Sequence, residues 1–185
     1  MSYAIRSCRR SSRPTPARSS APATRVKVSV SNEASGVHIE DVSGFEPVPS
    51  AAKIVGWIES ALEAEISGEI SIRVVAEAES AALNERYRGR AGPTNVLAFA
   101  GPDPVNGLDP RLLGDVVICA PVVAREAVEQ GKPFEAHWAH IAIHGVLHLL
   151  GYEHDSDAGA EAMERHEALL LATLGFDDPY RGEAS

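Results

Sequence analysis

The stretch HGVLHLLGYEH, from His144 to His154, sets three imidazoles at spacings of four and six residues inside an otherwise apolar run. Imidazole is the commonest protein ligand for a transition metal, so the question is whether these three can share an ion. The surrounding FEAHWAHIAIHGVLHLL reads as one helix carrying His137, His140, His144 and His148. Residues four apart lie on one helical face, which makes His140, His144 and His148 a single stripe. A metal–imidazole bond of about 2.0–2.1 Å allows two ligating nitrogens to stand at most ~4 Å apart. Positions i and i+4 reach that. Positions i and i+8 are ~12 Å apart along the axis, so His140 and His148 cannot serve the same ion. A third ligand has to come from off the helix.

Gly151 supplies the means, because glycine accepts the left-handed conformation in which a helix stops and the chain doubles back. His154 can then swing over the His144/His148 pair. HLLGYEH reproduces H-x-x-G-x-x-H, the second half of the metzincin zinc motif. Three neutral nitrogens suit Zn²⁺, one per chain, or a neighbouring divalent ion. Three protein ligands leave a tetrahedral position for water, whose pKa then falls to about 7. Glu153, Asp155 or Asp157 would close the site if one of them became a fourth ligand. Metzincins place a glutamate base directly after the first histidine, where this chain has Gly145, and neither Met1 nor Met163 makes a convincing Met-turn. The ligands of a metalloprotease are present and its base is absent. A second chemical feature is NERYRGRAGPTN, in which Arg86, Arg88 and Arg90 cluster at a helix end and the following turn. A solvated surface triplet is the plain alternative, but an arginine fork also suits phosphate oxygens.

The elements that must position these groups follow from periodicity. Val26, Val28 and Val30 alternate as in a half-buried strand, and a loop is expected from there to VPS. Ser50 is placed to cap a helix through AAKIVGWIESALEA. GEISIRVV predicts a second strand, AESAALNERY a short helix ending at Gly89, and TNVLAF and LLGDVVIC two further strands. Helices are expected from Pro121 to Gly131, from about Pro133 to Leu150, and from about Ala158 to Leu174. Strands come early and long helices late, which argues for α+β rather than repeated βαβ units.

A chain of 185 residues fits one domain and buries a real core. Cys8 and Cys119, far apart, do not read as a disulfide framework or a zinc ribbon, so a reducing compartment is expected, and no apolar run approaches the ~18 residues of a membrane span. Charge is uneven. Seven of the 17 basic residues fall by Lys27, whereas all 26 acidic ones lie from Glu33 onward. Residues 1–25, rich in Arg, Ser, Pro and Ala, read as a disordered basic extension. Its composition also fits an organellar transit peptide, an upstream start or a tail touching nucleic acid.

HGVLHLLGYEH resembles the H-G-x-L-H-L-x-G-Y-D-H signature of the YbeY family, bacterial endoribonucleases of rRNA maturation. LNERYRGRAGPTNVLAF is similar to that family's L-N-x-x-Y-R-G-K-D-x-P-T-N-V-L-S-F block, and LLGDVVIC, EAVEQGKP, HWAH and LGFDDPY follow in the same order. Ala91, Ala98 and Glu153 depart from the pattern without touching a ligand position. The resemblance implies that residues 26–181 form a single zincin-like α+β domain, with a four-stranded mixed sheet and about five helices. It implies His144, His148 and His154 as metal ligands and Arg88 as the catalytic arginine, with Arg86 and Arg90 beside it to bind RNA. The implied activity is metal-dependent cleavage of single-stranded RNA in the cytoplasm, in 16S rRNA 3′-end maturation and ribosome quality control. The implied partners are rRNA, the small ribosomal subunit and an Era-type GTPase, with no membrane. A metalloprotease-like hydrolase and a non-catalytic, metal-stabilised ribosome-binding module are the alternatives from other classes.

Overall fold

The computed structural model describes residues 28–32, 36–62, 68–102, 112–154 and 156–181. The basic extension expected over residues 1–25 lies outside the described residues, as does Asp155. Five strands, β1 (Val28–Asn32), β2 (Val37–Asp41), β3 (Glu69–Val75), β4 (Val96–Ala100) and β5 (Leu112–Cys119), form one mixed sheet in the order β1-β2-β3-β5-β4. Among the described residues five helices accompany the sheet: α1 (Ala51–Ala61), α2 (Glu77–Arg88), α3 (Ala120–Glu129), α4 (Phe134–Leu149) and α5 (Asp157–Thr173).

The α+β class, the mixed sheet and the five helices agree with the sequence reading. The strand count does not: the sheet has five strands where four were expected, because Val37–Asp41 is β2 rather than loop. This strand is held by neighbours on both sides, antiparallel to β1 and parallel to β3. Ser50 does occupy the N-cap position of α1, but only its carbonyl is used, accepting from the backbone of Lys53 and Ile54.

Alternation of side chains across the pleat divides the sheet into two buried faces. Ile70, Ile72, Val96, Val116 and Ile118 point to one face, where they pack against α1 and α4. Leu97, Phe99, Val117 and Cys119 point to the other, where Val122 of α3 and Leu83 of α2 join them. β3 and β5 run parallel and are covered on both sides, which explains their near-continuous Val/Ile content. Among the described residues the outer strand β4 pairs antiparallel with β5 alone. α5 packs on α4 through Met163 and Leu171, both almost fully buried, so Met163 is core.

Candidate metal centre

α4 is buried over nearly its whole length, including all four of its histidines. A buried polar ring needs a partner, and carboxylates on the neighbouring helices α3 and α5 supply one to three of the four histidines. His137 Nε2 lies 3.1 Å from Glu126 Oε2 on α3. The same carboxylate oxygen accepts from Asn95 Nδ2 at 3.0 Å, which ties the turn before β4 to both helices. His140 Nε2 lies 3.4 Å from Glu167 Oε2 and 3.2 Å from the Tyr180 hydroxyl. His144 Nδ1 lies 2.5 Å from Glu167 Oε1.

His144 Nε2 is left over from the Glu167 contact, and His148 offers its Nε2 near His154. His154 closes over them because α4 ends in a Schellman turn. Gly151 has φ +90°, its N–H donates to the His148 carbonyl at 3.2 Å, and the Tyr152 N–H donates to the Leu147 carbonyl at 3.0 Å. The reversal brings the His154 ring to 4.7 Å from that of His148 and 5.4 Å from that of His144, measured between centroids. One ligand atom of each histidine lies within 4.8 Å of the others.

These atoms fit a shared cation. His144 Nε2 is buried and has no hydrogen-bond partner among the described residues. His148 Nε2 and His154 Nε2 are 3.0 Å apart. An ion with tetrahedral bonds of 2.0–2.1 Å would separate its donors by roughly 3.3 Å. Burial, followed by the proximity of His144 and His154, pushes the His148 imidazole down to about 3, so it is neutral and able to ligate at physiological pH. Glu153 and Asp157 are exposed and join no group of ligand atoms with these histidines.

His140, His144 and Glu167 also bring ligand atoms together. The 2.5 Å between His144 Nδ1 and Glu167 Oε1, however, is a hydrogen-bond length and too short for two donors of one tetrahedral ion. Burial favours the neutral carboxyl of Glu167, but the hydrogen bonds from His140 and His144 outweigh it and hold the group well below the usual carboxylate range. It is therefore an ionised acceptor, and the His144 Nδ1–H donates to it. Burial, opposed by the Glu167 contact, lowers the His140 imidazole.

Gly145 has a packing reason. A Cβ there would stand 2.6 Å from Val116 Cγ1 and 3.1 Å from Val96 Cγ2, so α4 lies too close to the sheet for a side chain. The position that holds the general base of a metzincin is filled here by the sheet.

The arginine block is largely architectural. Ser80 Oγ donates to the Thr94 carbonyl at 2.8 Å and Asn84 Nδ2 donates to that of Gly92 at 2.9 Å, folding the turn back on α2. Arg86 and Arg90 are exposed and Arg88 is half-buried at the helix end. Arg86 lies over the Tyr87 ring, at 5.3 Å from its centroid. α2 and α4 cover opposite faces of the sheet, yet both end beside the same end of β4. Tyr87 meets Phe99 at 5.0 Å between ring centroids, and Leu149 lies where a Cβ on Gly114, the partner of Ala100, would touch it. The C-terminal ends of α2 and α4 thus lie on the two faces of the sheet beside the Phe99–Ala100 end of the outer strand.

Glu167 and Tyr180 were missed from sequence. The signal for Glu167 is its spacing, four residues from both Met163 and Leu171, which puts a carboxylate in the middle of the buried stripe of α5.

A family model described as Endoribonuclease YbeY matches residues 40–175. Curated relatives named Endoribonuclease YbeY include that of Methylococcus capsulatus, 56% identical over 72% of this chain and 88% of its own length. Those of Halorhodospira halophila and Nitrosococcus oceani are 52% and 50% identical, over 72% and 78% of this chain and 88% and 95% of their own. The solution structure of TM1509 from Thermotoga maritima aligns at TM-score 0.47 and 25% identity, over 80% of this chain and 96% of that one.

Proposed function

The chain belongs to the YbeY endoribonuclease family, and from that premise we propose that it is a metal-dependent endoribonuclease of single-stranded RNA, acting on 16S rRNA. The observation that carries the reading is the convergence of His144, His148 and His154 beside an orphaned His144 nitrogen. These three would hold one divalent ion per chain, and all-imidazole donation favours Zn²⁺. When bound, such an ion supplies Lewis acidity toward a phosphodiester and its attacking oxygen.

The protein's own groups do the rest. Arg88 holds the scissile phosphate and its developing charge, while Arg86 and Arg90 draw in the flanking backbone electrostatically. RNA lying along the Phe99–Ala100 end of β4 would meet arginines on one side and histidines on the other. Gly145 offers no carboxylate, so peptide hydrolysis in the metzincin manner lacks its base. The setting that fits this activity is 16S rRNA 3′-end maturation and ribosome quality control in the cytoplasm. The small ribosomal subunit and an Era-type GTPase are the expected partners. No described helix is long and apolar enough to cross a membrane. The catalytic domain is assigned to residues 26–181 and a basic extension to residues 1–25.

The test is cleavage of a labelled single-stranded RNA, with a duplex and a casein substrate beside it. Chelator-sensitive cutting of the single strand alone is expected. Chelator-sensitive proteolysis with intact RNA would move the chain to the protease reading. Inertness toward both, with metal bound, would leave a binding module.

A further inference from the structure

Glu167 is the one fully buried carboxylate among the described residues, and both of its oxygens are engaged. Oε1 takes His144 Nδ1, and Oε2 takes His140 Nε2 together with the Tyr180 hydroxyl, which donates to it. These partners come from two other parts of the chain: α4, and the segment after α5 that carries Tyr180. A buried charge survives only where such partners are complete, so the cluster is held as a unit. His140 and Tyr180 also pack edge to face, with ring centroids 5.5 Å apart.

The consequence falls on His144. With Nδ1–H donated to Glu167, the ring is fixed in the tautomer whose Nε2 carries the lone pair, and that nitrogen is the one turned to His148 and His154. We propose that Glu167, closed by Tyr180 and His140, is the positioning residue of the metal site, and that the C-terminal segment thereby sets how tightly the ion is held. This rests on the three-histidine reading above. His140 receives a role in it, as a support of Glu167 rather than a ligand.

The experiment uses the full chain as wild type, Glu167→Gln, Glu167→Ala, Tyr180→Phe and His148→Ala. Zn²⁺ affinity is read by competition with a chromophoric chelator, and the visible spectrum of the Co²⁺-loaded chain reports ligand geometry. Removing such a supporting carboxylate costs about ten- to a hundredfold in metal affinity. Glu167→Ala should show that loss with one ion still bound per chain and an altered Co²⁺ spectrum. Glu167→Gln, which keeps the shape but not the charge, should also bind more weakly. Tyr180→Phe should shift affinity in the same direction by less, and it covers the case in which Glu167→Ala fails to fold. Wild-type affinity and spectrum in Glu167→Gln and Tyr180→Phe, beside loss of binding in His148→Ala, would overturn the positioning role alone. Wild-type affinity in His148→Ala would instead remove the three-histidine site, and this proposal with it.

Discussion

In the proposed mechanism single side chains divide between holding an ion and holding a phosphate, and the two roles should separate on substitution. His148→Ala should abolish stoichiometric metal binding. Arg88→Ala should keep the metal while lowering kcat/KM on RNA by roughly 10²–10³-fold, the range for loss of one transition-state charge contact. A metal-content assay beside the kinetics distinguishes them. His148 also makes the metal-free chain acid-sensitive. Its folded value of about 3 lies below the ordinary 6.5, so the unfolded chain takes up the proton first. Stability associated with this residue is therefore complete above pH ~6.5 and is lost at about 1.4 kcal/mol per pH unit as pH falls toward the folded value. Glu167, also depressed, adds to the loss below the ordinary 4.5. Urea unfolding of the chelated protein at pH 7.5 and 5.5 should differ by about 1 kcal/mol or more in favour of pH 7.5. Equal midpoints would contradict the buried, neutral state of His148.

At the scale of elements, two glycines decide the geometry of the site. Gly151 sits at φ +90°, where a β-branched residue is strained, and its turn is what returns His154 to α4. Gly151→Val should lower the melting temperature and weaken Zn²⁺ binding together. Gly145→Glu, which restores the metzincin base on paper, should instead cost about 1–3 kcal/mol by pushing α4 off Val116 and Val96, without creating proteolysis. The helix end at Gly151 was legible because it is encoded locally, by one residue type at one place. β2 was not. Val37 and Ile39 do alternate with His38 and Glu40, but over only five residues flanked by Gly36 and Gly44, and the strand is fixed by β1 and β3 rather than by its own pattern. Glu167 was legible only in part, through its spacing from Met163 and Leu171, for a related reason. On a helix an isolated carboxylate reads as solvent-facing until the element packed against it is known, and its partners lie 23, 27 and 13 residues away.

Across the whole molecule, the sheet keeps the histidine helix α4 and the arginine helix α2 on opposite faces, with both helices ending beside the Phe99–Ala100 end of β4. The metal should join that assembly energetically. An ion at a hundredfold excess over its dissociation constant stabilises the folded state by about 2.7 kcal/mol, which for a domain of this size is a rise of roughly 5–10 °C in melting temperature. Chelation should reverse it, and His148→Ala should be insensitive to both. The most direct test of the central claim is cleavage of a labelled single-stranded RNA by wild type, His144→Ala and Arg88→Ala, with bound metal quantified in each preparation. The expected pattern is cutting with one ion in wild type, no ion and no cutting in His144→Ala, and one ion with strongly reduced cutting in Arg88→Ala. Undiminished cleavage by His144→Ala lacking metal would show that the three histidines do not carry the reaction.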